Sequence, residues 1–288
     1  MADGGWMRFH PASCPMDNQR VTDARSAVIL ARGAGTRMRR MDSSAALDPS
    51  QETAAAGGMK AMMPVAGRPF LDYGLSVLAD AGFARAVLVI GPDQHDVREH
   101  YRAHPPERIE LSYAMQAEPR GTADAVLAAE STIERDAFVV LNGDNYYPRE
   151  PLETLRTSAG PCVVLYDRAA LVERGTIPPD RIAAYALATI DGDGNLASVE
   201  EKPAAASDDR RAVSMNAWRF DARIFDACRR IPPSPRGELE LPRAVEYAIR
   251  HLGLKMRASI VRQPVLDLSR RADVAVVADR LRGVEPRP

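Results

Sequence analysis

The segment Leu30-Ala31-Arg32-Gly33-Ala34-Gly35-Thr36-Arg37 is the first stretch whose residue types and spacing suit chemistry. Glycines at 33 and 35 let backbone N–H groups approach a phosphate with no Cβ in the way. Arg37 adds a planar guanidinium fork that grips phosphate oxygens. The apolar run Ala27-Val28-Ile29-Leu30 precedes the segment, so it falls at the C-terminal edge of a buried strand. Open α/β sheets bind ligands at that edge. Gly-x-Gly alone is equally an ordinary strand-to-helix turn. Two familiar phosphate motifs are excluded. Met38 stands where the dinucleotide fingerprint needs its third glycine, and neither this loop nor Gly58-Met59-Lys60-Ala61 has the Gly-Lys-Ser/Thr of a Walker A loop.

Asn142-Gly143-Asp144-Asn145 puts a carboxylate just past a second apolar run, at the same sheet edge. In isolation Asn-Gly-Asp-Asn is common turn chemistry, Lys60 is a solvated lysine and Asp267 is a helix cap. Glu200 and Glu201 alternate in direction on a strand, so only one can face a pocket. Three other patterns are set aside. Asp191-Gly192-Asp193-Gly194-Asn195 starts like a calcium loop, but Leu196 and Lys202 occupy its glycine and terminal glutamate places, so it reads as a hairpin turn. His100 and His104 lie one helical turn apart without a third ligand. Trp218 and Phe220 share a strand face and read as core.

The elements that must position these residues alternate in the first half. Strands are expected at Arg25–Leu30, Ala86–Ile90, Ile109–Met115 and Ala137–Leu141. Helices are expected at Pro69–Asp80, Asp93–Ala103 and Thr122–Ser131. That alternation specifies an α/β fold with a Rossmann-like, mixed but mostly parallel sheet flanked by helices. The second half adds strands at Cys162–Tyr166, Ala183–Ile190, Leu196–Glu200, Val213–Phe220 and Met256–Val261, with helices at Ala222–Arg230, Pro242–Leu252 and Arg270–Arg282. Residues 1–24 read as a loose N-terminal arm. Residues 25–288 read as one domain of two halves, 25–150 and 151–288. The Ala-, Ser- and Gly-rich stretch 41–58 lacks periodicity and reads as a mobile insertion or lid.

Lys and Arg total 38 against 39 Asp and Glu, a net charge of −1. Such a chain offers no electrostatic reason for nucleic acid or an anionic membrane as partner, and an anionic ligand needs a local cluster of groups. Cys14, Cys162 and Cys228 fit reduced thiols in a cytoplasmic protein, two of them in the core. No apolar run reaches membrane-span length and no secretory signal opens the sequence.

Taken in order, these segments resemble the sugar-1-phosphate nucleotidylyltransferase family. The loop at 30–37 matches its Leu-Ala-x-Gly-x-Gly-Thr-Arg opening. Met59-Lys60 through Pro64 to Pro69 matches its lysine signature, followed by Gln116 with Gly121-Thr122-Ala123, Asn142-Gly143-Asp144, Glu200-Glu201-Lys202-Pro203, Asn216 and Leu266-Asp267-Leu268. The resemblance spans about Arg25 to Leu281. It implies that Leu30, Ala31, Gly33, Gly35, Thr36, Gln116, Gly121 and Thr122 bind a nucleoside triphosphate. It implies catalytic roles for Arg37, Lys60 and Asp144, and sugar-phosphate contacts for Glu201, Lys202 and Asn216. Asp144 and Asp267 would hold Mg²⁺. The reaction implied joins a nucleoside monophosphate to a hexose-1-phosphate, with UTP or dTTP favoured, and leaves a homo-oligomer open.

The sequence departs from that pattern in places. Arg32 replaces a small residue and would either touch phosphate or point to solvent. Met59 replaces a proline, Ala186 and Ala217 stand where glycine is common, and the gap from Arg37 to Lys60 is long. Two other readings remain: a non-catalytic nucleotide-sugar-binding relative, and a GT-A glycosyltransferase, against which the missing Asp-x-Asp argues.

Overall fold

The computed structural model describes residues 23–133, 137–203 and 211–288. Its frame is one nine-stranded sheet: β1 (Ser26–Leu30), β2 (Arg85–Ile90), β3 (Glu110–Met115), β4 (Phe138–Asn142), β5 (Cys162–Tyr166), β6 (Ala186–Ile190), β7 (Leu196–Glu200), β8 (Ala212–Phe220) and β9 (Arg257–Val261). The order is β7-β6-β8-β4-β1-β2-β3, and β5 pairs with β8 and β9. The segment β3-β2-β1-β4 is parallel, while β8 runs antiparallel to β4, β5 and β6. The expected mixed, mostly parallel sheet is therefore present, and both halves of the chain contribute strands to it.

The parallel strands are apolar on both faces because helices cover both. Ala27, Ile29, Leu88 and Ile90 pack with Leu71, Leu75 and Leu78 of α3 (Phe70–Asp80). Val28, Val87, Val89 and Val140 point the other way. They pack with Ala123 and Val126 of α5 (Thr122–Ala128), Phe225 of α8 (Arg223–Arg230) and Val245 of α9 (Leu241–His251). Burying each of the valine, leucine, isoleucine and phenylalanine side chains stabilises the fold by about 1.5–3 kcal/mol, and each alanine by less. Trp218 and Phe220 are fully buried and stacked, as their shared strand face implies. Cys162 and Cys228 are buried free thiols. No helix among the described residues is long and apolar enough to cross a membrane.

The sequence reading needs correction at four places. Most of the expected arm lies outside the described residues, but Ala24 is fully buried and its N–H donates to the Arg156 carbonyl (2.9 Å). The stretch 41–58, read as a mobile insertion or lid for want of periodicity, carries α2 (Pro49–Gly57), which follows the short α1 (Thr36–Arg39). Asp48 caps α2 by accepting from Ser50 and Gln51 N–H, and Gln51 returns the bond to the Asp48 N–H. Its Ala54 and Ala55 enter a third core with Met38, Leu268 and Val277. Alanines anchor this helix, so no apolar period marks it. Two further helices were not expected: α6 (Arg149–Thr157) and α7 (Arg168–Arg174), between α4 (His95–Ala103) and the closing α10 (Asp273–Arg280) in chain count. Each spans about two turns and is anchored by few apolar residues, too few to show a period.

The capping box makes a local prediction. Asp48→Ala should speed amide hydrogen exchange in α2 several-fold while exchange in β1 and β2 stays unchanged. Equal protection of α2 in the variant and the parent would show that the cap does not hold this helix.

Candidate active site

One cleft of about 390 Å³ opens at the C-terminal edge of the parallel strands. Leu30, Ala31 and Gly33 enter it from the end of β1, Gln116 from β3, and Asn142, Gly143 and Asp144 from β4. Gly121 and Thr122 border it at the start of α5. Glu201 and Lys202 follow β7, and Asn216 projects from β8. Lys60 reaches in from a short helical turn, Lys60–Met62. Residues far apart in sequence thus share one cavity because parallel strands end on one side.

Lys60 Nζ donates to Asp144 Oδ2 at 2.8 Å, with both side chains partly buried. Burial works against the ammonium charge. The charge and hydrogen bond of Asp144, with Asp267 behind, more than offset it and hold Lys60 above the ordinary lysine value. Asp267 lies beside Asp144 because the two-residue ladder Leu266–Asp267 pairs with Asn145–Tyr146, and Leu268 N–H donates to the Asp144 carbonyl (2.9 Å). Unlike Asp144, Asp267 does not line the cleft. Its carboxylate is almost fully buried and paired with Arg181, which also bonds Asp273 (2.7 Å). Burial, then the Asp144 charge, raise the Asp267 carboxyl above the usual range, against the pull of Arg181.

Other expected residues sit behind or beside the cleft. Gly35 is buried with φ +60°, and a Cβ there would fall 2.3 Å from the Gly58 carbonyl oxygen. A side chain would therefore push the Gly33–Arg37 turn off Gly58. This turn starts α1 and sends Thr36 and Arg37 past the cleft. Arg37 lines a neighbouring groove with Arg40, Arg270 and Arg271. Gly121 (φ +121°) is a second required glycine, because its Cβ would meet the Leu239 carbonyl oxygen at 2.4 Å.

That close approach brings in residues the sequence reading missed: Arg236, Glu238 and Glu240 line the cleft beside Glu201. Arg236 pairs with Glu240 (2.9 Å) and more loosely with Glu201 (3.8 Å). The only signal in the sequence was alternation of two acids with leucine before Pro242. Of the glutamate pair, Glu201 faces the cleft, while Glu200 is mostly exposed and bonds Arg211. Lys202 (φ +47°) and Asn216 (φ +55°) adopt the left-handed backbone region, uncommon for lysine and more readily entered by asparagine. At Asn216 the ladder between β5 and β8 slips register, and Trp218 Nε1 and Asn142 hold its amide. Thr122 borders the cleft, but its hydroxyl accepts from Leu241 N–H.

Sheet, loop and cleft define a Rossmann-like α/β protein with a polar site at the strand ends. The family is shown directly: the chain belongs to the nucleotidyl transferase family, whose description matches residues 26–259. A glucose-1-phosphate thymidylyltransferase of Streptomyces antibioticus is 29% identical over 265 residues, 91% of this chain and 67% of that protein. The UTP–glucose-1-phosphate uridylyltransferase AglF of Haloferax volcanii is 30% identical over 224 residues, covering 78% of this chain and 83% of its own. A UDP-glucose pyrophosphorylase solved with UDP-glucose shares the fold, with a TM-score of 0.71 at 15% identity over 91% of this chain and all of that one. The chain is a nucleotidyltransferase, and members of its family bind a nucleoside triphosphate and a sugar-1-phosphate and generally use a divalent metal ion.

Two predictions follow from the charges. Arg181→Leu leaves Asp267 and Asp273 buried without their cation, so urea unfolding should show a loss of about 3 kcal/mol or more. A loss within error would mean water or Tyr185 already satisfies both carboxylates. Glu201 makes a prediction about pH. Burial, opposed by Lys202 and Arg236, holds its carboxyl above the ordinary value. Ionising it therefore opposes folding: its contribution is intact at low pH and lost as pH rises through the raised value. Glu201→Gln should melt above the parent at pH 7, and the gap should close below about pH 4. A gap independent of pH would rule out ionisation as its cause.

Proposed function

We propose that this chain transfers a nucleoside monophosphate from a nucleoside triphosphate to a hexose-1-phosphate, releasing pyrophosphate, with UTP or dTTP as donor and Mg²⁺ as the metal. The observation that carries this reading is the Lys60–Asp144 pair in a cleft also lined by Gln116, Gly121, Glu201 and Lys202. A cation and a carboxylate thus share one cavity with the groups proposed to hold base and sugar, as a meeting of two phosphates requires.

A sugar-1-phosphate is already an anionic nucleophile, so the reaction needs no general base. Its oxygen forms the new bond to the α-phosphorus as the bond to the bridging oxygen breaks, and that electron pair leaves on pyrophosphate. Positioning and charge neutralisation supply most of the rate in such transfers. Lys60 neutralises the meeting phosphates. Lys202 holds the sugar phosphate, Glu201 accepts from sugar hydroxyls, and Gly33 leaves room for the triphosphate, since a Cβ there would meet nothing within 4 Å. Arg37, on the neighbouring groove, reaches the distal phosphates. The donor set suits Mg²⁺, which favours oxygen ligands and often takes one or two carboxylates. Asp144 would hold it, since one of its oxygens accepts no hydrogen bond among the described residues. Asp267 would join once Arg181 yields, or act through its charge alone. When bound, the ion supplies Lewis-acid polarisation and charge neutralisation.

The test is pyrophosphate release with Mg²⁺ over ATP, GTP, CTP, UTP and dTTP against several hexose-1-phosphates. Sugar-dependent release with UTP or dTTP is expected, lowered about a hundredfold or more in Lys60→Ala and Asp144→Asn. Nucleotide binding without release for any pair would move the reading to a non-catalytic nucleotide-sugar binder.

A further inference from the structure

Arg32 lines the cleft yet has no part in the chemistry above. Its side chain runs along the sheet edge from β1 towards β2 and β3, away from β4 and Asp144. Nη2 donates to the Ala117 carbonyl just past β3 (3.1 Å). The stem lies over Gly91, just past β2, where an added Cβ would fall 2.5 Å from both Arg32 Nε and Asp93 Oδ1. Glycine at 91 therefore makes the notch that admits this arginine. Nη1 is shielded from solvent and has no acceptor among the described residues. A charged donor buried without an acceptor is destabilising, and a turn of the guanidinium that uncovers Nη1 to the cleft lets a ligand oxygen satisfy it.

The direction of the side chain decides which part of a ligand it meets. Ala117 and Asp144 follow strands three places apart in the order β3-β2-β1-β4, roughly 14 Å at the usual strand spacing. If the α-phosphate sits at Lys60 and Asp144, the Arg32 end lies beyond phosphate reach. That end is walled by Pro119, Gly121 and Ala125, small and mostly apolar, which suits a planar base.

Gln116 completes the argument. Its amide nitrogen donates to the Gly121 carbonyl (3.1 Å) and to Asp124 Oδ2 (2.8 Å), so both its hydrogens are used. Only its carbonyl oxygen is left to offer a ligand. Beside Gly121 the Arg32 guanidinium thus offers a donor and Gln116 Oε1 an acceptor. Uracil, thymine and guanine carry the complement, a ring N–H beside a carbonyl. Cytosine and adenine carry the reverse, a ring nitrogen acceptor beside an amino group.

We propose that Arg32 is a specificity-determining residue that donates to a ring carbonyl of the nucleobase and, with Gln116, selects keto bases over cytosine and adenine. The inference rests on the nucleotide placement proposed above. It is tested by isothermal titration calorimetry with UTP, dTTP, GTP, CTP, ATP and inorganic tripolyphosphate on the full chain and on Arg32→Ala and Arg32→Lys. The parent should bind keto nucleotides at least about tenfold tighter than CTP and ATP. Arg32→Ala should weaken the keto nucleotides by about ten- to a hundredfold and leave CTP, ATP and tripolyphosphate unchanged.

Gly91→Ala, which crowds the stem out of its notch, should shift the preference the same way and carries the test if Arg32→Ala melts early. An equal loss for every ligand, tripolyphosphate included, would make Arg32 a phosphate contact. No change in any variant would make it a structural side chain. Either result overturns the inference. Because the readout is binding, Arg32-dependent keto preference without pyrophosphate release would sink the transferase reading alone. Release with a base preference unmoved in Arg32→Ala would do the opposite.

Discussion

Two carboxylates that repel one another are held side by side at the end of β4, and the rest of the site is arranged around compensating them. The backbone forces the proximity: the Leu266–Asp267 ladder to Asn145–Tyr146 and the Leu268 bond to the Asp144 carbonyl fix the register. Each acid then takes its own cation. Lys60 serves Asp144 from the cleft side, and Arg181 serves Asp267 from the buried side. Arg181 also binds Asp273, whose second oxygen accepts from Ser269 and Arg270 N–H at the start of α10. The charge pair is thereby tied to the C-terminal helix, and that helix to the third core that also anchors α2. On a free chain two such carboxylates would swing apart. Here the ladder holds both in place and the two cations work against burial and like charge, leaving one of them facing the cleft.

Much of this was legible in the sequence because its signals were local and strong. Apolar runs that end in Gly33 or Gly143 mark both a parallel strand and the sheet edge. The residues brought to that edge therefore followed from the strand pattern and the motif order together. What was not legible depended on tertiary contacts. Arg236, Glu238 and Glu240 enter the cleft because the backbone at Leu239 packs on Gly121, a contact between segments more than a hundred residues apart. The direction of Arg32 depended on a missing Cβ at Gly91, and that of Arg37 on the left-handed turn at Gly35. Helix α2 was missed because alanine carries a small apolar signal and its capping box, Asp48 with Gln51, stood in an Ala-, Ser- and Gly-rich stretch without periodicity.

Backbone strain gathers where the proposed sugar end lies. Among the described residues three non-glycine positions have positive φ, and two of them, Lys202 and Asn216, line the cleft. Such conformations cost roughly 1–3 kcal/mol each and persist only where surroundings enforce them. Asn216 is enforced from both sides, with its amide bonded by Asn142 and Trp218 and the β8 ladder shifted around it. The result turns a side chain out of a fully buried strand and into the cavity. A rigid strand with one enforced irregularity can aim a polar group more tightly than a loop can.

The cleft also resolves a problem of charge. Its lining carries Arg32, Lys60, Lys202 and Arg236 against Asp144, Glu201, Glu238 and Glu240, so no net field favours a polyanion. Attraction must come from local order instead. The acids of Glu201, Glu238 and Glu240 cluster around Arg236 beside Gly121, where Leu239 packs, Lys60 is paired with Asp144, and Arg32 lies over Gly91 and is held by the Ala117 carbonyl. A ligand that carries hydroxyls, phosphates and a carbonyl-bearing ring meets a different group at each of these places. A uniformly basic groove would bind any polyphosphate in several registers and hold the product as tightly as the substrates. Alternating charge along a sheet edge gives up affinity for orientation, which is what a transfer between two anions needs.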